Sequence, residues 1–461
     1  MMVDDPSQHA AVPGAEPLSL CELAHVIYAP AAIAQERFAV LRRAHGFCPG
    51  TAAAWSVDRR WKEFPQYMLS RQRADSLTKI DTPSIQHGAV AAVLWIGSYL
   101  FLNSSVDLFG DYRIHADYAA TQSSFLTSHG LVGGLTALLL ALFNGLTPVD
   151  SLRWVVAGFL VMQIFASAAL VREYAPQSFG AAGGAALTFA IVALALGPAS
   201  IFTYPDMFAT YIKFNVVHNP TVIAGRALAI LQVLAIDRYL LRSTSGGWIA
   251  LPLLTVLSSW AKPNFNLCLV PALAILLLPS LKSAEGRQSL LRPILLFFVP
   301  AFGALSLQYL VVYGQATAPS SVIWAPFAVA LSSGQHPWRD LALSCLFPAL
   351  ALALHPCWLR NSAAIRLAVA VFLSSCFYTY FLAESGPRFT HGNFWWGSQI
   401  SLLILTLITL AHFSAIYLSP PRVAARKHNS WRFYLLLGAI GLHLVSGVVF
   451  QILIQTRSLY A

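Results

Sequence analysis

A short polar segment near residue 110 carries side chains suited to proton transfer. It reads GDYRIHADY over residues 110–118. If the chain is helical from Asp111, then Asp111, His115 and Tyr118 lie on one face at spacings of four and seven residues, while Asp117 points elsewhere. A carboxylate beside an imidazole is suited to general-base chemistry. The same pattern also fits an ordinary helix start, where Asp interacts favourably with the helix dipole.

Two further polar segments interrupt apolar sequence. In VHNPT at 217–221, Pro220 disfavours helical geometry at Asn219, and Thr221 is placed to cap a following helix. His218, Asn219 and the free amides of such a helix start would together donate to a phosphate. In SSWAKPNF at 258–265, Lys262 is flanked by apolar residues. This predicts either a functional lysine or one that reaches the lipid headgroups.

The fourth polar segment is ESGPRFTHGNFWWG at 384–397. An aromatic belt at the headgroup level would explain its Phe and Trp residues. Four further residues are not required by such a belt: Glu384, Arg388, His391 and Asn393. Together with Trp338 and Arg339, they predict a polar, aromatic-lined groove suited to a sugar or a lipid headgroup.

Composition indicates the kind of scaffold that positions these segments. Of 461 residues, 57% are hydrophobic and 10% are charged, and the mean hydropathy is +0.62. Soluble domains carry roughly a quarter charged residues. The net charge of +10 comes from basic residues scattered in short loops, which does not resemble a nucleic-acid-binding patch. We therefore predict an all-α polytopic membrane protein that binds no nucleic acid.

Apolar runs of roughly 20 residues, the length of a bilayer-spanning helix, recur from Gly88 onward. We predict a partly disordered tail at residues 1–83, with a basic juxtamembrane segment, and an integral membrane domain at 84–461. Eleven spans are expected, at 86–104, 153–171, 180–202, 222–240, 246–261, 265–281, 293–313, 340–357, 365–383, 395–417 and 433–454.

The apolar run Leu131–Phe143 decides the topology. If it crossed the membrane, the arginine-bearing loop at 237–242 would lie outside, against the positive-inside rule. We therefore predict an interfacial or re-entrant helix here, after the first outer loop. The N-terminus is then cytoplasmic, and the four polar segments all lie at the outer face.

With these residues placed, the chain resembles the GT-C glycosyltransferases over about residues 86–417. The motifs that carry the resemblance are GDYRIHADYA at 110–119, VHNPT at 217–221, AKPNF at 261–265 and ESGPRFTHGNFWWG at 384–397. The family implies a helical bundle with an acidic first outer loop, an interfacial helix after it and an active site at the membrane surface.

The resemblance also implies roles for individual residues. An Asp of the first outer loop would deprotonate the acceptor, which corresponds to Asp111, with Asp117 as second choice and His115 beside them. The donor would be a polyprenyl-phosphate sugar, whose phosphate Lys262 and Arg388 would bind with help from His218. The other predicted substrate-binding residues are Arg113, Tyr118, Asn219, Glu384, His391 and Asn393.

The predicted activity is inverting sugar transfer to a glycan, lipid or protein acceptor in the bacterial inner membrane. No cofactor or metal site is predicted: the six cysteines show no paired spacing, and no Asp-X-Asp pair is present. Dependence on a divalent metal stays open. Two alternatives are a flippase or transporter of a lipid-linked glycan, and a lipid-dependent acyl or phosphate transferase using His218 or His391.

Overall fold

The computed structural model of the chain describes residues 85–105, 111–121, 130–175, 184–199, 212, 219–242, 247–314, 321–332, 336–386, 389, 392–418 and 430–458. All described residues belong to one compact unit, Ser76–Ala461. The predicted tail at 1–83, with its basic juxtamembrane segment, lies outside them.

Helices dominate the described residues. The first half contains α1 (Ile85–Ser105), α2 (Asp111–Thr121), α3 (Gly130–Leu142), α4 (Pro148–Tyr174), α5 (Gly184–Leu194), α6 (Pro220–Ile236), α7 (Ala250–Ala261) and α8 (Asn264–Leu277). The second half contains α9 (Ala284–Ser289), α10 (Val299–Gly314), β1 (Val322–Trp324), α11 (Ala328–Ser332), α12 (Pro337–Ser344), α13 (Leu346–Leu354), α14 (Cys357–Asn361), α15 (Ala363–Phe381), β2 (Leu382–Glu384), α16 (Trp395–Tyr417) and α17 (Ser430–Ser458).

Many of these helices are long and apolar enough to cross a bilayer. Within the described residues there are seven such segments: Pro148–Tyr174, Pro220–Leu241, Asn264–Lys282, Ala284–Val311, Ala363–Phe381, Trp395–Tyr417 and Trp431–Ile452. Helices α12 and α13 qualify together as a pair bent by 67°. A 20-residue helix is about 30 Å long, which matches the hydrocarbon core. The prediction of an all-α polytopic membrane protein is confirmed.

The eleven predicted spans can be compared one by one with the helices of the structure. Eight predicted spans coincide with these seven segments and the bent pair. The other three coincide with shorter apolar helices, Val90–Asn103, Ala185–Leu194 and Ala250–Ala261. The predicted interfacial segment forms α3, a 13-residue helix. The count of eleven therefore stays a prediction.

Helix α6 lies at the centre of the bundle. Its apolar window is 94% buried, whereas that of the segment Ala284–Val311 is only 22% buried and lies at the periphery of the bundle. Helices associate in lipid through close packing more than through a hydrophobic driving force. Small residues such as Ala224 and Gly225, both inside the bundle, permit that close approach.

Ion pairs join the far ends of α4 and α6. Glu173, near the end of α4, accepts hydrogen bonds from Arg238 and from Arg242, each at 2.5 Å. Arg242 also pairs with the buried Asp237. The first turns of both helices lie near Tyr112 of α2, so α4 and α6 run in parallel. The intervening chain, which contains α5, must therefore return across the bundle.

A break between α7 and α8 is stabilised by two amide side chains. Pro263 has no N–H group and so cannot bond the carbonyl of Ser259 four residues earlier. Gln308 of α10 supplies that hydrogen bond instead, from Nε2 to Ser259 O at 2.7 Å. Asn266 donates to Ser259 Oγ at 2.7 Å and to Thr255 O at 3.1 Å. The backbone carbonyl freed at the break is thus satisfied within the protein.

We expect Gln308→Leu to lower the free energy of unfolding by about 1–2 kcal/mol, because it leaves a buried carbonyl without a partner. The measurement is reversible unfolding in mixed detergent micelles. The matched control is Gln288→Leu, at an exposed position of α9. Equal stability of the two variants would contradict this account of the break.

Candidate functional site

Three helix starts and a strand end meet at one end of the bundle. Helices α6, α8 and α16 begin there, and β2 ends there at Glu384. Free amide groups give each helix start a partial positive charge. Three such starts together favour an anionic ligand.

Asn219 is the N-cap of α6 and also contacts α2. Its Oδ1 accepts hydrogen bonds from the backbone N–H of Val222 at 3.2 Å and from Thr221 Oγ1 at 2.7 Å. Its Nδ2 then donates to Asp111 Oδ2 at 3.3 Å. The capping requirement therefore orients Asn219 so that its amide nitrogen faces Asp111.

Helix α2 packs against the bundle through one face, and this is not the face that Asp111, His115 and Tyr118 share. The chain is helical from Asp111, but the buried residues are Tyr112, Ala116 and Ala119. Asp111 lies at the edge of this face and is half-buried. Tyr112 is completely buried, and burial raises its pKa well above the ordinary value, against the opposing charges of two nearby arginines, Arg153 of α4 and Arg226 of α6.

His115, one turn after Asp111, is a neutral imidazole at physiological pH. Burial lowers its pKa to about 4, and the positive charge of Lys262 adds to this effect. A base with such a low pKa is poorly matched to proton abstraction near neutrality. A role as a neutral hydrogen-bonding group suits His115 better than a role as the base.

Lys262 occupies the break between α7 and α8 and is only 4% exposed. Burial lowers its pKa to about 8, while the charges of Asp111 and Glu384 act in the opposite direction. Its Nζ lies 5.4 Å from the centroid of the Trp396 ring, a cation–π contact. The amine is therefore held near two carboxylates and one aromatic face, and it stays largely protonated at neutral pH.

Glu384 is linked to the lysine loop through Asn393. The Glu384 side chain is buried at the end of β2, and its Oε2 accepts a hydrogen bond from Asn393 Nδ2 at 2.5 Å. The carbonyl of Asn393 accepts from Asn264 Nδ2 at 2.6 Å. Asn264 begins α8, two residues after Lys262. This chain of hydrogen bonds therefore joins the end of β2 to the start of α8.

A small recess opens beside Glu384. It is lined by Val329, Leu382, Ala383, Glu384, Phe389, Gly392, Asn393, Phe394 and Trp395. Strand β2 forms one wall and is held by antiparallel pairing with β1, in which Val322 lies opposite Glu384. The recess is mainly apolar, with one carboxylate and one side-chain amide in its lining.

The structure brings together half of the predicted site residues. We call these the Lys262 cluster: Asp111, His115, Asn219, Lys262, Glu384 and Asn393. Arg113, Asp117 and Tyr118 are exposed on α2. His218, Arg388 and His391 lie outside the described residues. Their predicted roles stay predictions.

Sequence reasoning missed three residues that shape the cluster. Tyr112 anchors α2, Asn264 joins two loops, and Trp396 covers the lysine amine. Each lies within three residues of a predicted site residue, but its own side chain did not indicate a functional role. Tyr112 could have been found by its spacing from Ala116 and Ala119, which marks the apolar face of α2.

Gly225 of α6 permits the close approach of Lys262. A Cβ atom at this position would lie 2.9 Å from the Cβ of Lys262 and 3.4 Å from Cδ1 of Ile400. We expect Gly225→Ala to lower the free energy of unfolding by about 1–3 kcal/mol through overpacking. Gly133→Ala is the control, since a Cβ there meets nothing within 4 Å. Micellar unfolding compares the two variants, and equal stability would show that Lys262 can shift freely.

The cluster can bind an anion next to a carboxylate. Lys262 and the helix starts supply positive charge, while Asp111, held by Asn219, is a proton acceptor. Within the described residues, no three His, Cys, Asp or Glu side chains are grouped to hold a metal ion. Searches against protein-family models, curated proteins and solved structures find no match to this chain.

Proposed function

We propose that this protein is an inverting, GT-C-type membrane glycosyltransferase. It transfers a sugar from a polyprenyl-phosphate donor to a glycan, lipid or protein acceptor at the outer face of the bacterial cytoplasmic membrane. The observation that carries the proposal is the buried Lys262, held near Asp111 and Glu384 where three helices start. Anion binding and proton acceptance are thereby combined at one end of a membrane bundle.

The donor phosphate is assigned to Lys262. A buried ammonium interacts more strongly with an anion than an exposed one, because water screens it less. The starts of α6, α8 and α16 add their dipoles to the same field. In the transition state the leaving phosphate gains negative charge, so this positive field lowers the barrier as well as binding the donor.

The proton is assigned to Asp111. As the acceptor oxygen forms its bond to the anomeric carbon, the bond from that carbon to the phosphate oxygen breaks, and the acceptor proton passes to Asp111. The departing phosphate keeps the electron pair and stays next to Lys262. A single displacement of this kind inverts the anomeric configuration and requires only one base. Asn219 orients the carboxylate for this step.

The finer topology belongs to the same proposal. Eleven spans, with α3 as an interfacial or re-entrant helix, place the N-terminus in the cytoplasm and the Lys262 cluster outside. Glu173 near the end of α4 pairs with Arg238 and Arg242, which follow α6. These ion pairs support the proposal that the chain after α4 and the chain after α6 lie on the same side of the membrane. Arg172, which adjoins Glu173 in sequence, adds to the basic character of that side.

A flippase or transporter of a lipid-linked glycan is the second candidate. Polar side chains inside the bundle favour it, since a transport path needs polar residues at mid-membrane. Gln232 of α6 donates to Thr255 Oγ1 at 3.1 Å and to Asn266 Oδ1 at 2.8 Å. These amides bond one another and are completely buried, which also suits a packing role.

Asp111→Asn separates the two candidates. We expect the variant to lose sugar transfer by about 100-fold or more, because a general base contributes that much, and to keep donor binding through Lys262. The measurement is transfer of radiolabelled sugar from synthetic polyprenyl-phosphate donors by purified protein in detergent.

Glu285→Gln, an exposed carboxylate in α9, is the matched control and should retain full activity. If Asp117→Asn abolished transfer while Asp111→Asn did not, the assignment of the base would be wrong. If the wild type transferred no sugar across the donor panel but moved carrier lipid in liposomes, the flippase would be the better description.

The pH dependence of kcat/KM follows from Lys262. Its pKa of about 8 means that the amine is charged below that pH and neutral above it. Activity at low donor concentration should therefore fall as the pH rises through about 8. This fall is the alkaline limb of the pH profile. In the profile of kcat the alkaline limb should lie at higher pH than in that of kcat/KM, because bound phosphate raises the pKa of the amine.

Lys262→Arg should remove this alkaline limb, since a guanidinium stays charged throughout the range. Lys282→Arg, at an exposed position, is the control and should keep it. An unchanged limb in the Lys262→Arg variant would mean that another group titrates.

A further inference from the structure

The small recess of the candidate site has no part in the chemistry proposed above, although it adjoins the lysine. Two contacts fix its position. Asn393, which lines the recess, accepts a hydrogen bond at its backbone carbonyl from Asn264, two residues after Lys262. Trp395, also in the lining, is followed by Trp396, whose ring centroid lies 5.4 Å from Lys262 Nζ. A donor phosphate bound at Lys262 thus brings its attached sugar close to this recess.

The recess has the size of one small chemical group. The volume that the centre of a water molecule can reach inside it is about 10 Å³, and the recess is partly open to the surface. Such a volume holds about one water molecule or one hydroxyl group. A whole sugar ring is too large for it. A single substituent of a ring, inserted from the open side, fits.

Two polar side chains in the lining are suited to a hydroxyl group. Glu384 contributes a carboxylate, whose Oε2 accepts a hydrogen bond from Asn393 Nδ2 at 2.5 Å. Asn393 is half-buried, and its side chain forms no second hydrogen bond within the described part of the chain. An amide has two N–H donors and one acceptor oxygen. Asn393 therefore retains a donor and an acceptor for a ligand, and a hydroxyl group can use both.

The rest of the lining is mainly apolar and includes Val329, Leu382 and Phe394. These walls favour a ligand group that carries carbon as well as oxygen. A hydroxymethyl group meets this condition, because its oxygen lies one bond further from the sugar ring than a ring hydroxyl does and its methylene can contact the walls. Hexopyranoses carry this group, whereas pentopyranoses lack it.

We propose that this recess determines the specificity for the donor and takes the hydroxymethyl group of a hexose. The inference rests on the function proposed above and narrows the sugar of the donor to a hexose. The methylene contacts Val329 and Phe394, while the hydroxyl bonds Asn393 and Glu384. A pentosyl donor makes none of these contacts, so it binds more weakly.

The test measures donor binding without an acceptor, by surface plasmon resonance on the full-length protein in lipid nanodiscs. The donors are synthetic polyprenyl-phosphate glucose, mannose and galactose. Each is compared with its 6-deoxy analogue and with the pentose of the same ring configuration, namely xylose, lyxose or L-arabinose. We expect at least one hexosyl donor to bind about tenfold or more tightly than its pentosyl counterpart. Its 6-deoxy analogue, which keeps the carbon but lacks the hydroxyl, should also bind more weakly than the hexosyl donor.

Val329→Ile tests the recess directly, because the added methylene occupies its space. We expect this variant to lower the affinity for the hexosyl donor about tenfold and to leave the affinity for the pentosyl donor unchanged. Val299→Ile, at an exposed position of α10, is the control and should retain the preference. Asn393→Ala, with its fold checked by thermal unfolding, should reduce the preference as well.

Equal affinity of the wild type for the hexosyl, 6-deoxy and pentosyl donors would overturn the inference, since the recess would then hold only water. A parallel loss of hexosyl and pentosyl binding in Val329→Ile would overturn it too. If sugar transfer occurred without any such preference, the inference alone would fail and the proposed function would stand. If the preference appeared in binding but no acceptor received sugar, the proposed function would fail and the recess would still select a hexose.

Discussion

Burial of the Lys262 charge is the constraint on which the site end of this bundle depends. An ammonium removed from water is strongly destabilising unless nearby groups compensate for it. Here compensation comes from two carboxylates and an indole that lie on three separate segments of the chain, none of them the segment that carries the lysine. One end of each of these segments must lie beside Lys262 for the lysine to remain charged. The meeting of α2, α7, α16 and β2 is thus an electrostatic requirement as well as a packing arrangement.

Neighbouring features follow from the same requirement. The lysine sits at a helix break, which Pro263 causes and Gln308 satisfies from α10. Gly225 lets the lysine stem approach α6 closely. Asn219 caps that helix and also contacts Asp111. A proline, an amide, a glycine and a cap residue that look unrelated along the chain therefore support one buried cation.

The sequence predicted the scaffold more readily than the site. Apolar runs of bilayer length identify membrane helices because lipid imposes that length, and the polar segments between such runs identified Asp111 and Lys262. The inward face of α2 was harder to predict, since Asp111 and His115 share a face that lies only at the edge of the packed surface. Long-range partners such as Trp396 and Asn264 depend on tertiary contacts that no local pattern encodes.

The order in which the ribosome makes these segments has a consequence for biogenesis. Lys262 is synthesised roughly 120 residues before Glu384, which at about 5–20 residues per second is an interval of many seconds. During that interval the nascent lysine has only its earlier partner, Asp111, near the membrane. The surroundings of the lysine are complete only once β2 and α16 have been made. Substitutions in the last third of the chain therefore affect the folding of its middle.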